Sequence, residues 1–230
     1  MSNRPLALIT GASRGIGAAV ARALHPDFDL LLGGRDRDAL AEIAGELPGA
    51  RPWPVELTDP VALAEATAGI ERVDVLVHSA GVVRLGPLTE TDAELWRSMM
   101  EVNLVAVAEL TRLLLPALRA AAGHVVIVNS GAGLRANPNW AAYAASKFAV
   151  RAYADVLRAE EESHGMRVTS VFPGRTDTDM QRAVVASEGQ EYRPDRFLRA
   201  DSVAAAVRAA VTATPDAHQT EVVLRPAPSR

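Results

Sequence analysis

A chain of 230 residues with 49% apolar and 23% charged side chains is long enough to bury a sizeable core and has the balance of a globular protein. Its formal net charge of −4 gives no general attraction to nucleic acid or anionic membrane, and the lack of cysteine excludes disulfides, thiolate chemistry and cysteine zinc sites. Aromatic residues make up only 4%, so the core must rest on Ala, Val and Leu.

Short apolar runs alternate with longer helical patterns along the whole chain. Residues 6–10 read as a first strand, followed by a glycine-rich turn and a helix over about 15–24. A second strand at 28–32 leads into a helix at 37–46, where Arg35-Asp36-Arg37-Asp38 alternates in charge as a solvated surface does. A third strand is expected at 54–57 before a helix at 60–69, and a fourth at 73–78 before one long helix over 92–120. The fifth strand, 124–129, precedes a second long helix over 139–163, with Asn137 as its N-cap and Pro138 at its first helical position. Strands at 168–172 and 222–224 flank a helix at 201–213. Residues 181–199 have weak periodicity and read as a loop or short helix near the site.

Several strands are near-continuous Val, Ile and Leu, as expected when helices cover both faces of a parallel sheet. The alternation predicts one doubly wound α/β domain over 1–230, with about seven strands and helices on both faces. No run approaches 18 consecutive apolar residues, and the apolar run at 6–10 is too short for a signal peptide. The expectation is a cytoplasmic protein without a membrane span.

Thr10-Gly11-Ala12-Ser13-Arg14-Gly15-Ile16-Gly17 follows the first strand and opens a helix. Its G-x-x-x-G-x-G spacing is a relative of the dinucleotide fingerprint, in which glycines admit a pyrophosphate to the backbone and helix-start N–H groups face the anion. An acid at the tip of the second strand would meet a ribose 2′-hydroxyl, whereas arginine favours a 2′-phosphate. The chain reads Leu32-Gly33-Gly34-Arg35-Asp36, so Arg35 with Arg14 points to NADP(H). If Arg35 is only a surface residue and Asp36 a helix cap, NAD(H) stays open.

Lys147 is the sole lysine among 24 basic residues and lies four positions after Tyr143. On a helix that spacing puts both on one face, where a compact ammonium can sit beside the phenol. A phenol ordinarily titrates near pH 10, and a neighbouring cation favours its ionised form.

These motifs together resemble the short-chain dehydrogenase/reductase family across essentially the whole chain. The cofactor loop is Thr10–Gly17 by that likeness, and His78-Ser79-Ala80-Gly81 stands where members usually carry Asn-Asn-Ala-Gly. Asn103 matches the family's helix asparagine, Ser130 precedes Tyr143 by the usual 13 residues, and Pro173-Gly174-Arg175-Thr176-Asp177-Thr178 matches a Pro-Gly-x-x-x-Thr segment.

The resemblance implies a Rossmann-like fold and NADPH-dependent interconversion of a ketone or aldehyde with an alcohol. Tyr143 would be the general acid/base, Lys147 would bind the nicotinamide ribose and tune the phenol, Ser130 would hold the substrate oxygen, and Asn103 would hold a relay water. Cofactor contacts would come from Gly11, Ser13, Arg14, Gly15, Ile16, Gly17, Arg35, Ser79, Ala80, Gly81, Pro173, Gly174, Thr176 and Thr178, besides Tyr143 and Lys147. Glu56, with Leu57, stands where many members place an aspartate against the adenine, a contact that could fall to Asp59 instead. No metal is expected, because the five histidines show no ligand spacing. Family members pair through their two long helices, so a homodimer or homotetramer is implied.

The segments after the site motifs are mostly apolar, including Leu85, Leu134, Trp140, Met180, Val184 and Phe197, which points to a hydrophobic substrate. An inward-facing Arg84, Arg135 or Arg175 would instead suit a 3-oxoacyl thioester. An NADPH-binding sensor or scaffold without catalysis is the alternative of another class.

Overall fold

In a computed structural model that describes residues 4–227, seven parallel strands form one sheet in the order β3-β2-β1-β4-β5-β6-β7. They are β1 Leu6–Thr10, β2 Asp29–Gly34, β3 Ala50–Pro54, β4 Val75–His78, β5 His124–Val128, β6 Arg167–Pro173 and β7 Glu221–Leu224. The helices are α1 Gly15–Leu24, α2 Arg37–Glu46, α3 Pro60–Thr67, α4 Ala93–Met100, α5 Ala106–Ala121, α6 Ala141–Glu161, α7 Asp179–Ser187 and α8 Ala200–Val211. This is the doubly wound α/β architecture that the alternating pattern predicts.

Successive strand residues point to opposite faces, and both faces are buried. Ile9, Leu30, Leu32, Val77, Val126 and Val171 share one core layer with Leu24 of α1, Leu40 of α2 and Val207 of α8. Leu8, Leu31, Leu76, Val125 and Ile127 share the other with Leu63 of α3, Leu110 and Leu114 of α5 and Val150 of α6. The unbroken apolar runs of β1, β4 and β5 are thus the direct consequence of a two-sided sheet. Chain order reverses between β1 and β4, which opens a crevice at their carboxyl ends.

Three elements differ from the sequence expectation. The third strand lies at Ala50–Pro54 rather than 54–57. Pro52 and Pro54 mask the strand signal, yet an edge strand pairs on one side only and tolerates lost donors. The apolar stretch from Val55 instead descends toward the crevice, with Val55 N–H donating to the Gly34 carbonyl at 2.9 Å.

The long helix expected over 92–120 is interrupted by a five-residue π-helical turn, Glu101–Val105. Asn103 sits in that turn and spends its amide on the loop after β4, an irregularity that periodicity does not reveal. The third difference is at α6, which begins at Ala141 and not at Asn137-Pro138. Asn139 adopts φ +66°, a left-handed conformation open to asparagine that cannot continue a right-handed helix. Residues 181–199 contain most of α7, capped by Thr178, and a short 3-10 turn at Pro194–Arg196. No described helix is long and apolar enough to cross a membrane.

Candidate active site

The turn between β1 and α1 is built by backbone proximity. Gly11 has φ +65°, and a Cβ there would lie 2.9 Å from the Ala80 main chain; one at Gly17 would lie 2.1 Å from the Gly11 carbonyl oxygen. Only glycine allows these approaches. Thr10 Oγ1 ties the turn to the loop after β4 by accepting from Ser79 N–H and Ala80 N–H, each at 3.1 Å. Arg14, the N-cap of α1, makes no side-chain cap, so the first amides of the helix face the crevice without a side-chain acceptor. The crevice of about 480 Å³ is lined by Gly11, Ser13, Arg14, Gly15, Ile16, Gly17, Arg35, Glu56, Leu57, Ser79, Ala80, Gly81, Thr178 and others. Narrow glycine backbone, open helix-start amides and a flanking arginine suit a dinucleotide diphosphate.

At the outer end of the crevice, Arg35 Nη1 lies 3.7 Å from Glu56 Oε2, both side chains being well exposed. Glu56 Oε1 also accepts from Thr58 N–H at 3.2 Å and Oγ1–H at 2.9 Å. Asp36 caps α2 through Ala39 N–H. Asp59, the expected substitute for Glu56, is consumed as the cap of α3, accepting from Val61 and Ala62 N–H at 3.0 Å.

A smaller cleft of about 130 Å³ adjoins it, lined by Ser79, Ala80, Gly81, Asn129, Ser130, Trp140, Tyr143, Lys147, Pro173, Gly174, Thr176 and Thr178 among others. Ser130 lies two residues past the end of β5, Tyr143 and Lys147 sit one turn apart on α6, Pro173 ends β6, and Gly174, Thr176 and Thr178 lie between β6 and α7. Tyr143 and Lys147 are buried, with the ammonium 5.8 Å from the centre of the phenol ring. Burial raises the Tyr143 phenol above its ordinary value, and a hydrogen bond with Ser130 acts the other way. Burial also pulls the Lys147 ammonium down to about 8. Burial is thus the largest cause of the Tyr143 shift, and the Lys147 ammonium stands beside the ring.

Asn103 is brought to the same place. Its Oδ1 accepts from Val82 N–H at 2.9 Å, and its Nδ2 donates to the Val82 carbonyl and to Ser146 Oγ, each at 3.0 Å. A Cβ on Gly81 would stand 3.2 Å from that Oδ1 and 3.7 Å from Lys147 Nζ, so the three residues adjoin. Ser146 Oγ–H in turn donates to the Tyr143 carbonyl at 2.8 Å. His78, in place of the family's first asparagine, is buried with Nε2 2.9 Å from Thr111 Oγ1, tying β4 to α5. Thr176 Oγ1 donates to the Gly174 carbonyl, while Thr178 Oγ1 accepts from Gln181 N–H at the start of α7.

Sequence reasoning missed Asn129, Ser146 and Gln181. Asn129 Oδ1 accepts from Ser130 N–H at 2.8 Å, and its Nδ2 donates to the Lys147 carbonyl at 3.1 Å. The available signal was a buried amide closing an apolar strand, where an unpaired polar group would be costly. Arg84 and Arg135 are exposed and do not line the smaller cleft, whereas Arg175 does.

The family model for short chain dehydrogenase matches residues 5–189. The dehydrogenase/reductase SDR family member 7B of Bos taurus is 37% identical over 201 residues, covering 80% of this chain and 62% of that relative. The chain thus matches less than two thirds of that relative's length. An X-ray structure of an alcohol dehydrogenase from the archaeon Thermococcus sibiricus, complexed with 5-hydroxy-NADP, superposes with TM-score 0.89 at 30% identity, over 99% of each chain. A short chain dehydrogenase from Burkholderia cenocepacia, in complex with NADP, gives TM-score 0.83 at 30% identity, over 97% of this chain and 89% of that one. With most of its length matched by the family model and its whole sheet shared with these structures, the chain belongs to the short-chain dehydrogenase/reductase family.

Proposed function

We propose that this protein is an NADPH-dependent oxidoreductase that interconverts an apolar ketone and its alcohol. The observation that carries this reading is the convergence of Ser130, Tyr143 and Lys147 in one small cleft beside the glycine cradle. A protein that only bound a nucleotide would need no proton donor there.

The cofactor, when bound, supplies a hydride. Gly11, Gly15, Ile16, Gly17 and the uncapped start of α1 would hold its diphosphate, and Arg14 and Arg35 would meet a 2′-phosphate. The NADP complexes of two structural relatives support that preference. Ser130 would donate to the substrate oxygen and Tyr143 would give it a proton, acting as general base in the reverse direction. A phenol raised by burial suits the donor role, because it keeps its proton until the substrate oxygen gains charge. Lys147 would hold the ribose and place a positive charge beside the phenol, and Thr176 and Thr178 would fix the nicotinamide carboxamide. Val82, Val83, Trp140, Met180 and Val184 give the cleft an apolar wall that fits a hydrophobic substrate. Exposed Val105, Phe148 and Val156 support pairing of the long helices between copies of the chain.

The test follows NADPH absorbance against a panel of ketones with wild type and Tyr143→Phe. The variant is expected to lose about 100-fold or more in rate while binding NADPH equally. Equal rates, or none with any ketone, would favour a sensor or scaffold.

A further inference from the structure

We propose that Glu188 is a specificity-determining residue: by neutralising Arg175, it makes the substrate cleft select uncharged ketones over those that carry a carboxylate. This rests on the oxidoreductase reading for its substrate class, although the charge relationship stands on geometry alone. Among the described residues that line the cleft, Arg175 is the only arginine and Lys147 the only other cation.

The arginine follows the end of β6 and is met by one face of the α7 segment. Positions 181, 184, 185 and 188 share a helical stripe. Gln181, Val184 and Val185 are buried on it, and Glu188, the C-cap of α7, closes it. Glu188 Oε2 accepts a hydrogen bond from Arg175 Nη2 in a close ion pair. With the Gln181 amide turned so that its oxygen faces donors, Oε1 accepts from Arg175 Nε at 2.8 Å and from Nη2 at 3.0 Å. The Phe197 ring covers the guanidinium, 5.7 Å away.

The consequence is chemical. A guanidinium recognises a carboxylate through two parallel N–H bonds along one edge of its fork. Here the Nε–Nη2 edge is occupied by Gln181 and Glu188, so a substrate carboxylate would find no free fork on that side. It would also meet the negative charge of Glu188 held against that edge of the guanidinium. Neutralising that one carboxylate leaves Gln181 and Phe197 to keep the arginine in place. The cleft would then present a positioned, unpaired cation.

The test titrates protein fluorescence, which includes Trp140 in the cleft wall, with hexanoate and with hexanamide. Wild type, Glu188→Gln, Arg175→Gln and the double variant are compared by the ratio of the two dissociation constants. Glu188→Gln is expected to shift the ratio at least about tenfold toward hexanoate, and the double variant to return to the wild-type ratio. Arg175→Gln alone, which leaves Glu188 unpaired, is expected to shift it the opposite way, and it provides the second arm should Glu188→Gln fold poorly. An unchanged ratio in the single variants, or a gain that persists in the double variant, overturns the proposal. Relative kcat/KM for 2-oxohexanoate and its ethyl ester should move in parallel. A shifted binding ratio with no ketone reduced by any variant would uphold the charge relationship and sink the oxidoreductase reading instead.

Discussion

The side chain of Asn129 joins Lys147 to Ser130: Nδ2 donates to the carbonyl of the lysine at 3.1 Å while Oδ1 accepts from the N–H of the serine at 2.8 Å. The end of β5 and the middle of α6 are thereby held in register across the cleft. Gly133 makes room for this bridge, since a Cβ there would lie 2.6 Å from Asn129 Oδ1 and 2.8 Å from the Lys147 carbonyl oxygen. Asn129→Ala would leave the part-buried Ser130 N–H without its acceptor, at a cost of about 1–3 kcal/mol, and release Ser130 from its tie to the Lys147 carbonyl. The expected outcome is a lower urea midpoint and a fall in kcat larger than any rise in KM. Gly133→Ala should be destabilised as well, because the overlapping atoms include backbone that cannot yield cheaply.

Lys147 offers a prediction in which stability and activity move apart. Its ammonium sits at about 8 in the folded chain, below the ordinary lysine value of 10.5, because it is buried. Between those values the unfolded chain holds the proton and the folded chain does not, so stability should rise with pH from about 8 to 10.5. Below that window the buried charge costs up to about 3 kcal/mol. Lys147→Met should therefore raise the urea midpoint at pH 7 and abolish the rise toward pH 10. The same variant should lose ketone reduction, and wild-type activity should fall as pH passes 8 and the ammonium is lost.

How far the chain can be read without coordinates depends on whether a feature repeats locally. Leu8 and Ile9, or Leu76 and Val77, belong to different core layers, and such continuous apolar runs identify a two-sided sheet from sequence. The four-residue step from Tyr143 to Lys147 and the glycine spacing of the first turn are equally local. Pro52 and Pro54 hide β3, whose edge position is a property of the whole sheet. The π-helical turn at Asn103 leaves the apolar period of 92–120 almost intact, so the break is invisible in the pattern. Asn129 and Glu188 act on partners 18 and 13 residues away, across element boundaries, where no periodicity links them. The direction of the Tyr143 shift follows from burial, which spacing to a lysine does not report.

His78 should make the protein sensitive to acid. Burial holds its imidazole at about 3, against an ordinary 6.5, and Thr111 is its hydrogen-bond partner. As pH falls from 6.5 toward 3, the unfolded chain takes up the proton first, so stability drains away across that window. At pH 4.5 the loss from this one group approaches about 3 kcal/mol. His78→Asn, which keeps a donor for Thr111 but cannot be protonated, should narrow the difference between urea unfolding at pH 7 and at pH 4.5 by about that amount. An unaltered difference would mean that other groups, such as His124, which burial also holds at about 3, set the acid limit.

Cofactor choice can be separated from catalysis by binding alone. Arg35 and Glu56 lie 3.7 Å apart at the outer end of the crevice, so the carboxylate competes with any phosphate for the guanidinium. Charge-assisted contacts of arginine with phosphate are strong, whereas an exposed ion pair contributes only about 0.2–1 kcal/mol. A 2′-phosphate should therefore displace Glu56 from Arg35 at small cost. Arg35→Ala is expected to weaken NADPH about tenfold in a fluorescence titration and to leave NADH within about twofold. Glu56→Gln should act in the opposite sense, tightening NADPH by about two- to fivefold with NADH again unchanged. Equal losses for both nucleotides in Arg35→Ala would show that the arginine supports the crevice wall rather than reading the phosphate, and the preference for NADPH would then need another source.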